Sequence, residues 1–156
     1  MLPEQFCVRM KEMLGEEYAA FYASYDLPKY QALRINPLKT ERDTFLLQAP
    51  FSLNRVPWTT NGYYYSGNDQ PGRHPYHEAG VYYIQEPSAM APAEYLMAEP
   101  GERILDLCAA PGGKSTQIAC SMQGEGLIVC NEIHPARAKI LSENIERMGV
   151  CLSLIH

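Results

Sequence analysis

In the first half of the chain, apolar positions fall in short groups of differing period. Over 3–14, Phe6, Met10, Met13 and Leu14 share one helical face, Pro3 suits a first turn and Gly15 a stop, so the spacing predicts a helix. A second helix is predicted from Glu16 to about Ser24. Its aromatic stripe of Tyr18, Phe21, Tyr22 and Tyr25 reads as core packing, with base stacking as the alternative. Arg34 to Lys39 reads as a short strand closing in an Asn-Pro turn. Thr40, with Asp43 three residues on, resembles a capping box ahead of a short helix carrying Phe45, Leu46 and Leu47. Strands are predicted from Leu53 to Trp58 and, beyond the Asn61-Gly62 turn, over Tyr63 to Tyr65. Ser66 to His77 is rich in Gly, Pro and polar residues and reads as loop; Val81 to Gln85 reads as strand. Glu86-Pro87-Ser88 opens a helix expected to run to about Ala98.

Beyond Pro100-Gly101 the pattern changes. Nearly continuous apolar strands, Arg103 to Leu107 and Leu127 to Asn131, alternate with helices over Lys114 to Met122 and Pro135 to Met148, the second stopped by Gly149. Buried strands alternating with helices predict a parallel sheet, and such a sheet needs more than two strands. A third is expected to begin at Val150, close to the end of the sequence, so this half reads as the start of a truncated domain. No internal repeat occurs.

Composition narrows the class. With 156 residues there is room for one ordinary domain, or a small one plus part of another. A 46% hydrophobic and 20% charged chain is that of a globular protein. No apolar run approaches the ~20 residues of a membrane span, and no secretory signal is visible. Five scattered cysteines with no Cys-x-x-Cys pair point to a reduced, cytoplasmic setting and away from a disulfide framework or a metal site. The net charge of −5 counts against a nucleic-acid binder, an objection that weakens if part of the protein is absent.

The informative stretch is Ile104 to Thr116, where an apolar strand ends in Asp106, breaks into Cys108-Ala109-Ala110-Pro111-Gly112-Gly113 and continues as a helix from Lys114. A strand feeding a tight turn and a helix N-terminus presents backbone amides to a ligand, and small residues are expected to let that ligand approach the backbone. A phosphate-binding P-loop needs Gly where Cys108 stands. A dinucleotide or adenosyl-cofactor site fits better, since Cys108, Ala110 and Gly112 occupy the Gly-x-Gly-x-Gly positions. That site also wants an acid at the end of the next strand for ribose hydroxyls. Glu132 stands there, 19 residues after Gly113, against an expected ~20. The bland alternative is that Glu132 caps the helix beginning near Pro135. Asp106 either touches ligand or holds the turn through backbone amides. Lys114, unfavourable at a helix start, serves ligand or RNA or is merely solvated.

Leu105-Asp106-Leu107-Cys108-Ala109-Ala110-Pro111-Gly112-Gly113-Lys114-Ser115 resembles motif I of the Sun-family RNA (cytosine-C5)-methyltransferases. Arg34 to Lys39 looks like that family's Arg-x-Asn-x-Leu-Lys signature, and His77 to Met90, with Tyr83 and Gln85, its segment before motif I. Asn131-Glu132-Ile133 with Arg137 looks like motif II, followed by a helix with Asn144, Arg147 and Gly149. Within the family the chain looks most like the bacterial type that modifies ribosomal RNA.

The resemblance implies an α/β fold: the start of a Rossmann-like class I methyltransferase domain over 86–151, preceded by a small α+β RNA-contacting region over 1–85. It implies S-adenosyl-L-methionine held by Cys108, Ala109, Ala110, Pro111, Gly112, Gly113 and Lys114, with Glu132 on the ribose. It also implies ribosomal RNA as substrate, no membrane, and a monomeric, cytoplasmic parent enzyme. Lys29, Arg34, Lys39 and Arg42 are the candidate phosphate contacts, with scattered surface charge as the alternative. The family's chemistry uses a Cys thiolate on cytosine C6 and a second Cys to release product. Those cysteines lie in Pro-Cys and Thr-Cys motifs, and neither motif occurs here. Catalytic residues are therefore expected to be absent and the fragment inactive; the rival reading is a non-catalytic RNA-binding or cofactor-binding module. Leu152-Ser153-Leu154-Ile155-His156 departs from the family's continuation and resembles adapter sequence read as codons, so 152–156 is set aside from the fold as a non-native tail.

Overall fold

A computed structural model of the chain describes residues 2–155. Ala32–Ile35 (β1) is buried at every position, which places it in the middle of a sheet. Its neighbours are Gly62–Tyr65 (β3) and Tyr82–Ile84 (β4), both antiparallel, and Leu53–Arg55 (β2) lies outside β3. Because side chains alternate across a strand, Leu33 and Ile35 join Phe45, Tyr63 and Tyr82 in one core, beneath the helix Arg42–Gln48 (α3). Ala32 packs on the opposite face with Val56 and Met90. Arg34 shares that face and reaches the second half of the molecule.

The second half is a parallel sheet ordered Arg103–Asp106 (β5), Leu127–Cys130 (β6), Ser153–Ile155 (β7). The helices Gly113–Ser121 (α6) and Pro135–Met148 (α7) connect the strands. Ile118, Met122, Ile128, Leu141, Ile145 and Met148 form its core, and Tyr83 of β4 is part of the same cluster. The two sheets thus share packing at Tyr83.

Asn36, fully buried at the end of β1, pins the halves together. Its Nδ2 donates to Gly80 O (2.8 Å) and Met148 O (2.9 Å), and its Oδ1 accepts from Leu38 N (3.1 Å). Gly80 makes this approach possible. Its φ is +69°, and a Cβ there would lie 2.0 Å from the Arg147 carbonyl oxygen.

Several elements depart from the pattern. The predicted aromatic core of the N-terminal helices Glu4–Leu14 (α1) and Tyr18–Ala23 (α2) does not exist, since neither helix has a buried residue. Phe6, Phe21 and Tyr25 instead pack on one another at 5.4–6.2 Å between centroids without becoming buried. Thr40 is not a cap; its hydroxyl donates to Glu41 O, and Arg42 takes Asp43 at 3.0 Å. The strand expected through Trp58 stops at Arg55 as the chain turns, with Thr59 N donating to Val56 O. Ser66 to His77 contains a turn at Pro71–Arg73 and the short helix Pro75–Glu78 (α4), each with Pro in its first turn. The long helix expected over 86–98 is a tight turn, Ser88–Met90, followed by Ala91–Leu96 (α5), closed by Met97 at φ 51°. Setting 152–156 outside the fold is corrected for Ser153–Ile155. β7 pairs with β6, and Leu152 packs against the second core while its carbonyl accepts from Ile128 N (2.9 Å). His156 lies outside the described residues. No helix among the described residues is long and apolar enough to cross a membrane.

Since Asn36 satisfies carbonyls from both halves, Asn36→Leu leaves Gly80 O and Met148 O without that donor, at a cost of about 1–3 kcal/mol. Urea unfolding followed by Trp58 fluorescence should show the midpoint falling accordingly; an unchanged midpoint would contradict the pinning role.

Candidate functional site

The loop between β5 and α6 is built by closing its carbonyl side. Asp106, the last residue of β5, accepts from Cys108 N (3.2 Å) through Oδ1 and from Ser115 Oγ (2.7 Å) through Oδ2. Its carboxylate bridges both ends of the turn, so of the two roles left open by the sequence, the structure shows the turn-holding one. The end of β6 secures the outer arm: Ala109 N donates to Asn131 O (3.1 Å), Asn131 N to Asp106 O (2.8 Å) and Asn131 Nδ2 to Leu107 O (3.1 Å).

Three successive carbonyls are then taken by side chains. Ala110 O accepts from Arg137 Nη2 (2.8 Å). Pro111 O accepts from Asn144 Nδ2 (2.8 Å) and, at 3.4 Å, from the Tyr83 hydroxyl. Gly112 O accepts from Thr116 Oγ1 (2.7 Å). Across the turn, Gly113, Lys114 and Ser115 are the first residues of α6, whose amides have no carbonyl one turn back inside the helix. Those amides and the positive end of the helix dipole suit an electron-rich ligand. The loop is therefore saturated on one side and open on the other.

The glycines serve this arrangement differently from the sequence-based expectation. A Cβ on Gly112, whose φ is +109°, would meet Leu141 Cδ1 at 3.2 Å; one on Gly113 would meet Tyr83 and Gln85 at 3.4 Å. Both directions point into the protein. At Gly112 the missing side chain lets the turn lie against α7.

Glu132 follows β6, and only 4% of its side chain is exposed. Oε1 accepts from His134 N (3.0 Å) and Oε2 lies 3.2 Å from Arg137 Nη1. The local turn before α7 is thus one of its roles. A carboxylate has about four acceptor sites, and two are used. Through Arg137, which also holds Ala110 O, Glu132 is joined to the loop 19 residues upstream that the spacing paired it with. Lys114 is exposed at the start of α6.

The four candidate phosphate contacts are not brought together. Arg34 is 2% exposed and is corrected: its Nη2 donates to Thr116 Oγ1 (2.8 Å), and its guanidinium lies 5.6 Å from the Tyr83 ring centroid. Burial lowers its pKa, with nearby acidic groups opposing the shift. A charge count cannot reveal this, because the partner lies 82 residues away. Lys29, Lys39 and Arg42 are exposed, Arg42 pairing with Asp43 and Lys39 lying beside Gly149 at the C-terminal end of α7.

The Cys120 thiol is pushed up by burial, against the opposing pull of Arg34; the Cys130 thiol is also pushed up by burial. Both are therefore poor nucleophiles near neutral pH. Cys108 and Cys151 are exposed and Cys7 half-buried. Thr116 matters to the loop but carries no sequence signal beyond closing the informative stretch. Tyr83 and Asn144 enter the sequence reading only as members of the segments that resemble the family. Neither sits near the loop in the chain, their bonds to Pro111 spanning 28 and 33 residues.

Comparison with known proteins agrees with this architecture. Residues 2–87 match the N-terminal domain of 16S rRNA methyltransferase RsmF, and residues 93–156 match the 16S rRNA methyltransferase RsmB/F family. The ribosomal RNA small subunit methyltransferase F of Enterobacter sp. (strain 638) is 38% identical over 159 residues, covering 95% of this chain and 33% of that protein. Its counterpart in Photobacterium profundum is 35% identical over 160 residues, covering 96% of this chain and 34% of that protein. The chain thus spans about a third of the length of the curated relatives it matches. A crystal structure of a methyltransferase homolog protein from Pyrococcus horikoshii superposes with a TM-score of 0.86 at 28% identity, covering 99% of this chain and 52% of that one. The match over both sheets and the loop between them places this chain in the RsmF family of 16S rRNA methyltransferases.

Proposed function

We propose that this chain is the cofactor-holding part of an enzyme that transfers a methyl group from S-adenosyl-L-methionine to C5 of a cytosine in ribosomal RNA. The observation that carries this reading is the one-sided loop: carbonyls 110–112 are occupied from within, the amides of Gly113 and Lys114 are left open, and Glu132 is tied to the same loop through Arg137. The residues fit the donor. Backbone amides at a helix start suit the electron-rich carboxylate of its amino-acid end, and the unused acceptor sites of Glu132 suit two ribose hydroxyls. Arg137, with 53% of its side chain exposed, is the Glu132 partner free to yield. When bound, S-adenosyl-L-methionine supplies an electrophilic methyl group; the residues here bind and orient it.

Activation of the cytosine requires the thiols of the Pro-Cys and Thr-Cys motifs, which this chain lacks. By itself the chain holds cofactor and transfers no methyl group. Lys29, Lys39 and Arg42, exposed on the N-terminal region, contact RNA phosphates, and Lys114, exposed at the start of α6, serves the cofactor. The parent enzyme works in the cytoplasm as a monomer on ribosomal RNA.

Titration calorimetry should give heat of binding with S-adenosyl-L-methionine and none with ATP; the reverse would overturn the reading. Glu132→Gln, which removes the charge but keeps the shape, should weaken binding about tenfold or more, the loss of one or two charge-assisted hydrogen bonds. Incubation with labelled methyl donor and ribosomal RNA should leave the RNA unlabelled, and labelled RNA would refute the inactivity of the chain alone.

A further inference from the structure

We propose that Arg34 and Arg147 are positioning residues that orient Thr116 and Asn144, and so fix the carbonyl side of the cofactor loop. The proposal rests on the reading of that loop as the methyl-donor site. A guanidinium has donors only, whereas a hydroxyl and a side-chain amide can each face either way.

Thr116 Oγ1 lies between Arg34 Nη2 (2.8 Å) and Gly112 O (2.7 Å). Arg34 must donate, so the single hydroxyl proton is directed to the loop, to Gly112 O with Gly113 O (3.3 Å) as the longer contact, and it adds to the bond that Thr116 N makes to Gly112 O (2.9 Å). Asn144 repeats the device. Its Oδ1 accepts from Arg147 Nη2 (3.0 Å), which leaves Nδ2 to donate to Pro111 O (2.8 Å). Two adjacent carbonyls are thus held by two groups whose polarity is set from behind by a cation.

Both arginines are anchored in the N-terminal half. Arg34 belongs to β1, and Arg147 Nη1 donates to His77 O (2.6 Å). Their guanidinium carbons each lie 5.6 Å from the centroid of the Tyr83 ring, whose hydroxyl reaches Pro111 O. A further sign that Arg34 has a task is its cost. Its Nε is buried without a hydrogen-bond partner, and no carboxylate of the described residues lies within 4.0 Å of its guanidinium. The N-terminal region is therefore not only an RNA-facing module. It sets which way the loop's peptide units face, and hence how well the Gly113 and Lys114 amides are aimed.

The test uses the whole chain with Thr116→Val, Thr116→Ser and Asn144→Asp. Valine keeps the shape and removes the hydroxyl, serine restores it, and aspartate keeps an acceptor for Arg147 while removing the donor to Pro111 O. Affinity for S-adenosyl-L-methionine should fall roughly three- to tenfold in Thr116→Val and Asn144→Asp and stay within about twofold in Thr116→Ser. In the same two variants, amide hydrogen exchange should quicken at Gly112 and Thr116, whose amides are bonded within the loop, and remain unchanged in β1 and β3. A merely structural role would lower the melting temperature without this localisation. Should Thr116→Val fail to fold, Asn144→Asp decides alone. Wild-type affinity and loop exchange in folded Asn144→Asp would overturn the proposal. If the unsubstituted chain binds no methyl donor, the cofactor reading fails, and the exchange pattern still tests whether the two groups oriented by the arginines hold the loop.

Discussion

A turn that offers its amides to a ligand must dispose of its carbonyls elsewhere, and the rest of this structure follows from that constraint. Ala110, Pro111 and Gly112 point their oxygens at Arg137, Asn144, Tyr83 and Thr116. Asp106 ties the start of the loop to Ser115 inside α6. Without those partners the peptide units would be free to turn over, and a loop of small residues has little else to hold it. With them, the open face is the one carrying the amides of Gly113 and Lys114.

Holding the carbonyl side draws in both halves of the molecule. α7 supplies Arg137 and Asn144 and lies close enough to do so because Gly112 has no side chain to meet Leu141. β4 supplies Tyr83, which is part of the core of the parallel sheet although its strand belongs to the antiparallel one. Asn36 fastens the same junction from the other end of β1. The N-terminal region and the loop between β5 and α6 therefore form one packed unit, joined by a few named hydrogen bonds.

Much of this was legible in the amino-acid pattern because it is local. The run of apolar residues into Asp106 and then Cys108 to Gly113 announced a strand, a turn and a helix start, and Pro135 with Gly149 bounded α7 at the residues observed. What escaped was set by partners distant in sequence. Arg34 carries a charge, and charge alone suggests surface; its burial depends on Thr116 and Tyr83, far along the chain. The aromatic stripe of α2 is apolar enough for a core, but none of its residues is buried, Phe21 packing only partly covered against Phe6 of α1. The glycines were rightly expected in a tight turn, but the sequence does not show that the side chain Gly112 lacks would crowd Leu141 of α7. Asp106 and Glu132 each had two physically reasonable roles, and only coordinates show that Asp106 spends both oxygens on the turn while Glu132 keeps acceptor capacity in reserve.

The decisive measurement is a crystal structure of this chain with S-adenosyl-L-methionine. It should show the donor's amino-acid carboxylate on the amides of Gly113 and Lys114, its ribose hydroxyls on Glu132, and carbonyls 110–112 still bonded as they are here. A donor seated elsewhere, or a loop whose carbonyls turn toward the ligand, would contradict that arrangement.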